Sequence, residues 1–226
     1  MITYNKAAPL FSLHIPKCGG TSFNSLLRRW FHIGFHRHYY NLKTAKDPGI
    51  ASIKLKLSRA LPICIHGHFD NQRNIGVFDC YPEASQFITM LRDPIEIRIS
   101  MYNYMLKSFK EGDFYDNGKK VTEFTLTMEE FFLNTPFMML NFFPWTFTEE
   151  NYRSILDTNF VHIGIMENLE QSLEILAHKL NKPFKRMSHV NKAEKVLMPN
   201  QQLVDTFKTK YPLEFKIYEY AKELNK

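Results

Sequence analysis

A lysine, two glycines and two hydroxyl residues stand together in the segment Pro-Lys-Cys-Gly-Gly-Thr-Ser at residues 16–22. A short apolar run precedes this segment and an amphipathic helical pattern follows it, which predicts a strand-to-helix turn. Gly19 and Gly20 carry no Cβ, so the backbone can bend sharply and approach a ligand closely. The first free N–H groups of the helix belong to Thr21, Ser22 and Phe23. These groups, the helix dipole and the charge of Lys17 predict a site for a phosphate or sulfate group.

A second strand-to-helix turn carries an arginine and a serine. The mostly apolar run 86–91 leads into Arg92 and Asp93, and Pro94 is well placed in the first turn of the helix that follows. The guanidinium of Arg92 can bind two phosphate oxygens, and the hydroxyl of Ser100 can donate a third hydrogen bond. Arg98 is a weaker candidate for the same anion. We therefore predict a second anion site on this turn.

Two histidines, His66 and His68, follow the buried-type strand predicted at 62–65. Ligands of open parallel sheets bind at the carboxyl ends of the strands, so both histidines stand where chemistry is expected. An imidazole titrates near neutrality and can remove a proton from a hydroxyl group. A histidine in this position can also be structural, through a hydrogen bond to a backbone carbonyl.

The position of Lys17 separates this chain from the Walker A nucleotide-binding loop. In a Walker A loop the lysine follows the last glycine and precedes the hydroxyl that binds Mg²⁺, whereas Lys17 precedes its glycines. The order in 16–22 instead resembles the 5′-phosphosulfate loop of sulfotransferases that use 3′-phosphoadenosine 5′-phosphosulfate (PAPS). The branch in question contains the heparan sulfate 2-O- and 6-O-sulfotransferases and related carbohydrate enzymes. The run 92–102 is similar to the 3′-phosphate motif of this family, and 66–68 to its His-Gly-His segment.

The resemblance assigns roles to individual residues. It implies that His68 is the general base, that Lys17 stabilises charge on the transferred group, and that His66 orients the base or contacts the substrate. Segment 189–192 resembles a loop that lies near the cofactor in relatives. The implied cofactor-binding set is Lys17, Cys18, Gly19, Gly20, Thr21, Ser22, Arg92, Ser100, Asn191 and Lys192.

The reaction implied by the resemblance is in-line transfer of a sulfuryl group from PAPS to an acceptor hydroxyl, with a carbohydrate or glycoconjugate as the expected acceptor. No metal is expected to be required, because the Lys-Ser/Thr arrangement that holds Mg²⁺ is missing from the loop. Two other classes stay open. A P-loop nucleotide kinase should show Gly-Lys-Ser/Thr and a Walker B acid, neither of which is evident, and a non-catalytic module could bind polyanions without turnover.

Composition sets mild bounds on the protein. The chain has 226 residues, of which 44% are hydrophobic, and without a linker-like stretch it is expected to form one sulfotransferase domain over 1–226. A net charge of +6 suits a polyanionic cofactor without implying nucleic acid. The 3 cysteines match no zinc spacing, and no apolar run is long enough to span a bilayer, so we expect a cytoplasmic enzyme. His32, His36 and His38 form only part of a metal-binding register, and no metal site is expected.

Strands and helices alternate along the chain. Strands are predicted near 10–15, 62–65, 86–91 and 160–165. Helices are predicted near 21–31, 50–60, 95–109, 127–134, 136–143, 148–157 and 168–180, with two more at the C-terminus; 32–40 is expected to be a connection and 111–120 a mobile loop. This order predicts an α/β fold with a central, mainly parallel sheet in a three-layer α/β/α arrangement, and extra C-terminal helices. The resemblance to sulfotransferases also implies that this fold is similar to that of P-loop NTPases.

Overall fold

Parallel strands form the centre of the protein. The structure is a computed structural model, and it describes residues 1–49, 51, 60–135, 138–184 and 197–225. Its strands are β1 (Leu10–Leu13), β2 (Phe35–His38), β3 (Cys64–Gly67), β4 (Phe87–Leu91), β5 (Tyr115–Asp116), β6 (Lys119–Lys120) and β7 (Phe160–Ile165). Five of them pair in parallel in the order β2-β3-β1-β4-β7, while β5 and β6 form a separate antiparallel hairpin.

The central strands are buried along their whole length because their residues are mostly apolar on both faces. Every residue of β1, β3, β4 and β7 is buried, as is typical of parallel strands covered on two sides by helices. In the register of the sheet, Leu13 pairs with Gly67 of β3 and with Thr89 of β4. The segments that follow these three strands therefore leave the sheet at the same edge.

Helices flank the sheet and close the chain. They are α1 (Gly20–Phe31), α2 (Val77–Cys80), α3 (Pro94–Lys110), α4 (Met128–Asn134), α5 (Tyr152–Asn159), α6 (Leu169–Lys179), α7 (Gln201–Lys210) and α8 (Pro212–Glu223). Helix α3 begins where the sequence predicts, because the Asp93 side chain accepts from the N–H groups of Ile95 and Glu96 and Pro94 fills the first turn. The predicted α/β fold with a central parallel sheet and additional C-terminal helices is confirmed.

Several local predictions need correction. The connection expected at 32–40 contains the edge strand β2, and the loop expected at 111–120 contains the β5-β6 hairpin. Strand β3 begins two residues later than predicted and runs through Gly67, while α5 begins at Tyr152 rather than near 148. Of the helix predicted at 136–143, residues 139–142 form a 3-10 turn. Positions 136–137, and 50 and 52–59 of another predicted helix, lie outside the described residues.

Candidate active site

A cleft opens at the edge of the sheet where β1, β3, β4 and β7 end. Its volume is about 2580 Å³. Residues that line it include Lys17, Gly19, Gly20, Thr21, Ser22, His68, Arg92 and Ser100. The cleft thus brings together three segments that are far apart in the sequence. They are the lysine-glycine loop (16–22), the His-Gly-His segment (66–68) and the arginine-serine turn (92–100).

The loop after β1 turns tightly before α1 begins. Its backbone has positive φ angles at Lys17 (69°) and Gly19 (71°). Glycine adopts such angles without strain, whereas lysine does not. Helix α1 starts at Gly20, one residue earlier than predicted, and the N–H of Phe23 already donates to the Gly19 carbonyl. The N–H groups that precede the first intrahelical bond therefore belong to Gly20, Thr21 and Ser22.

Lys17 supplies a cation beside this helix start. Its Nζ lies 4.3 Å from the centroid of the Tyr104 ring, which is within the range of a cation–π contact. Burial lowers the pKa of Lys17, and the positive charge of Arg92 lowers it further. Both effects penalise the isolated ammonium, so a bound anion would stabilise it.

Cys18 stands in the centre of the loop, yet its side chain points into the core. The thiol is 1% exposed, and burial raises its pKa, which keeps it protonated. Its backbone N–H donates to the Ile15 carbonyl at 3.2 Å. Both donors of Cys18 are thus turned away from the cleft, so its position gives no support to the predicted contact with the cofactor, which stays a prediction.

Arg92 links the second turn to the first. Its Nη1 donates to the backbone carbonyl of Lys17 at 3.3 Å, and its Nη2 pairs with Glu96 at 2.9 Å. Ser100 follows on α3 and lines the same cleft. Because Arg92 contacts the Lys17 loop directly, the two predicted anion sites are adjacent.

Arg98 takes a structural role instead of the anion-binding role considered for it. Its side chain is 1% exposed, and Nη1 donates to the Phe131 carbonyl at 2.9 Å and to Thr135 at 2.8 Å. Burial raises the pKa of Glu214 on α8 to about 7, while the charge of Arg98 opposes that shift. Arg98 therefore connects α3, the end of α4 and α8 inside the protein.

His68 lines the cleft, as does His14. Its Nδ1 lies 2.7 Å from the His14 carbonyl, and since a carbonyl can only accept, Nδ1 carries the proton and Nε2 keeps its lone pair. Burial lowers the pKa of His68 to about 4, although the His14 carbonyl and Asp70 oppose this shift. At neutral pH His68 is uncharged, which is the form a general base requires.

His66 lies beneath the cleft rather than in its wall. Its side chain is 0% exposed and its Nδ1 lies 2.9 Å from the Ser12 hydroxyl. Burial lowers the pKa of His66 to about 3. The predicted contact of His66 with substrate does not fit this position, because β3 continues through Gly67 and turns the ring into the core.

Sequence reasoning missed His14 and placed Tyr39 only in the connection 32–40; both side chains contact His68. The His14 ring stacks on His68 with centroids 4.2 Å apart, and the Tyr39 hydroxyl lies 2.8 Å from His14 Nδ1. The predicted strand 10–15 contained His14, so the rule for residues that follow a strand did not point to it; in the structure β1 ends at Leu13 and His14 directly follows it.

The remaining predicted residues fall into two groups. Asn191 and Lys192 lie outside the described residues. Of the clustered histidines, His36 contacts the Gly49 carbonyl at 2.8 Å and His38 stacks on Phe69 at 4.7 Å. Within the described ranges, no group of three or more histidine, cysteine, aspartate or glutamate residues could hold a metal ion. In the same part of the chain no helix is long and apolar enough to cross a membrane.

Comparisons with known proteins give a similar fold but no related sequence. No protein-family model matches the chain, and no curated protein sequence matches it significantly. Among solved structures, the mouse sulfotransferase SULT7A1 complexed with PAP has a TM-score of 0.54 and 12% sequence identity, over 97% of this chain and 91% of that chain. The chain therefore shares the fold of this sulfotransferase, which supports the predicted P-loop-like architecture.

Proposed function

We propose that this protein is a sulfotransferase that moves the sulfuryl group of PAPS to an acceptor hydroxyl, with a carbohydrate or glycoconjugate as acceptor. One observation carries the proposal: Lys17, Arg92 and the uncharged His68 line the same cleft, and Arg92 contacts the Lys17 carbonyl. The similar fold of a sulfotransferase crystallised with PAP supports it further.

The residues of the cleft fit the charge pattern of the cofactor. PAPS carries a phosphosulfate at one end and a separate phosphate on the ribose, so it needs two anion sites. Lys17 and the N–H groups at the start of α1 would hold the phosphosulfate. Arg92 and Ser100 would hold the ribose phosphate, with the guanidinium exchanging its contact with Glu96 for the phosphate oxygens.

In this proposal His68 accepts the acceptor proton and Asp70 stabilises the charge that His68 then carries. Bound PAPS supplies the sulfuryl group. His68 accepts the proton of the acceptor hydroxyl at Nε2, while its Nδ1–H stays bonded to the His14 carbonyl. Asp70, whose charge raises the pKa of His68, stabilises the resulting imidazolium. A positioned base of this kind contributes about 10²- to 10⁴-fold in rate.

Lys17 and the N–H groups of Gly20, Thr21 and Ser22 offset negative charge that develops on the transferred group and the leaving phosphate. Removing one preorganised donor from such a site lowers kcat by about 10²- to 10³-fold. The lysine-glycine loop therefore contributes both to binding and to rate.

The direct test is transfer of radiolabelled sulfate from PAPS to a panel of glycans, lipids and peptides, with and without EDTA. We expect transfer to a glycan that survives EDTA. Lys17→Ala and His68→Ala should abolish it, whereas Arg92→Ala and Ser100→Ala should mainly weaken PAP binding in calorimetry. His178→Gln, an exposed histidine on α6, is the matched control and should transfer normally.

Two outcomes would favour other functions. Binding of ATP and Mg²⁺ more tightly than PAP, without sulfate transfer, would favour a nucleotide kinase. Normal polyanion binding and function in a Lys17→Ala/His68→Ala double variant would favour a non-catalytic binding module.

A further inference from the structure

Two aromatic side chains enclose the His68 ring, and the proposed mechanism gives neither of them a role. The His14 ring stacks on one face, with centroids 4.2 Å apart and planes at 21°. The Tyr39 ring meets His68 edge-on, with centroids 4.8 Å apart and planes at 86°. Because the Tyr39 hydroxyl also lies 2.8 Å from His14 Nδ1, the three rings form one connected unit, of which His14 and His68 line the cleft.

The position of the His14 ring is fixed on its other side by the start of α1. A Cβ built on Gly20 would collide with the Nε2, Cε1 and Cδ2 atoms of His14, so this ring occupies the space of a side chain at position 20. The backbone carbonyl of His14 also accepts a hydrogen bond from Nδ1–H of His68. His14 therefore holds the base candidate through its ring and through its carbonyl.

The protonation states of the two groups allow Tyr39 to be the donor in their hydrogen bond. Burial, together with the charges of His68, His66, Lys17 and Arg37, lowers the pKa of His14 well below its usual value, so the ring is uncharged near neutral pH. Burial raises the pKa of the Tyr39 phenol, which keeps its hydrogen. An uncharged phenol is a good donor, and an uncharged imidazole offers one nitrogen lone pair.

We propose that Tyr39 and His14 are positioning residues for His68: Tyr39 donates to Nδ1 of His14, and the His14 ring fixes the orientation in which His68 presents Nε2 to the cleft. This inference rests on the proposed function, in which His68 is the base. It predicts a larger effect of the pair on the catalytic rate than on cofactor binding, because both rings contact the base, whereas the His14 ring meets the anion site by packing against Gly20.

Two single variants separate the two contacts. Tyr39→Phe removes the hydroxyl and keeps the ring against His68, whereas His14→Asn keeps a polar atom near the place of Nδ1 and removes the stacked ring. Each should lower kcat by about three- to tenfold, the range of one lost hydrogen bond or packing contact. The KM for PAPS and the dissociation constant for PAP should stay within about twofold of the parent. Tyr220→Phe, which removes a hydroxyl bonded to Asp157 at 2.8 Å and away from the cleft, should leave kcat unchanged.

A double variant tests whether Tyr39 acts through His14. Adding Tyr39→Phe to His14→Ala should lower kcat no further, since the hydroxyl then has no ring to hold, and residues that share one interaction show such non-additive effects. Decreases that multiply, or a loss of PAP affinity with unchanged kcat, would overturn the proposal.

Nitrogen-15 NMR of the ligand-free protein gives a readout that does not depend on turnover. In the parent and in Tyr220→Phe, the His14 proton should reside on Nε2, and Tyr39→Phe should give a mixture of the two tautomers. A proton on Nδ1 of His14 in the parent, or an unchanged tautomer in Tyr39→Phe, refutes the proposed hydrogen bond. If the parent transfers no sulfate, the proposed function fails, and the NMR result still decides whether Tyr39 holds His14.

Discussion

Replacing Gly20 by alanine sets two physical effects against each other. Gly20 occupies the first position of α1 and does not have a positive φ. Alanine restricts the unfolded chain more than glycine does, and at such a position it normally stabilises a protein by about 0.5–1 kcal/mol. Helix propensity alone therefore predicts a gain in stability.

The His14 ring reverses this expectation. The new Cβ would collide with three atoms of that ring, which cannot move aside easily because the ring is stacked on His68 and bonded to Tyr39. Inserting a carbon into a packed site costs about 1–3 kcal/mol, which exceeds the gain. Taking the middle of each range, we expect a net loss of about 1 kcal/mol in the free energy of unfolding, or about 2–4 °C in Tm for a chain of this size.

Urea and thermal denaturation of the parent and four variants would measure this effect. Gly49→Ala is the matched control, because no atom lies within 4 Å of the Cβ that it adds. The Gly20→Ala/His14→Ala protein should recover the loss relative to His14→Ala alone, since the colliding ring is gone. A Gly20→Ala protein as stable as the parent or more stable would show that the His14 ring does not fill this space.

Three further predictions concern charge. Burial lowers the pKa of His66 from 6.5 to about 3 and that of His68 from 6.5 to about 4. On acidification these histidines therefore bind protons at a higher pH in the unfolded chain than in the folded protein. The free energy of unfolding should therefore fall below about pH 6.5 by about 1.4 kcal/mol per pH unit for each histidine, and a flat urea-denaturation profile down to about pH 5 would contradict this. Glu96→Gln should tighten PAP binding in calorimetry by about 1.5- to fivefold, because it frees Arg92 from a partly exposed ion pair; weaker binding would count against that role. Arg98→Met should lower the free energy of unfolding by about 1–3 kcal/mol, since it removes the buried donor to the Phe131 carbonyl and to Thr135, and should not change PAP affinity; full stability would disprove the structural role.

Local signals were sufficient to predict the strands that carry the cleft. Strands β1, β4 and β7 appear within about two residues of their predicted bounds, because each is an apolar run followed by a proline turn, an arginine or a helical pattern. The start of α3 was also predictable, since Asp93 and Pro94 are strong capping residues.

Contacts between distant segments were beyond these signals. Phe35–His38 contains three polar residues and resembles a loop, and it becomes strand β2 only because β3 offers a parallel partner. The orientation of His66 depends on where β3 ends, and a shift of one residue turns a side chain to the opposite face. The stack of His14 on His68 joins the ends of two strands, so their adjacency follows from the sheet order alone.

The central place of β1 in the sheet determines when the cleft can form during synthesis. Leu10 pairs with Cys64 and Phe11 with Phe87, so both neighbours of β1 are made much later than β1 itself. The lysine-glycine loop leaves the ribosome next to an unpaired apolar strand and gains its supports only after Leu91 has emerged. Since such non-local parallel pairing is slow, nascent chains that stop before β4 expose that strand and are the species most in need of chaperones.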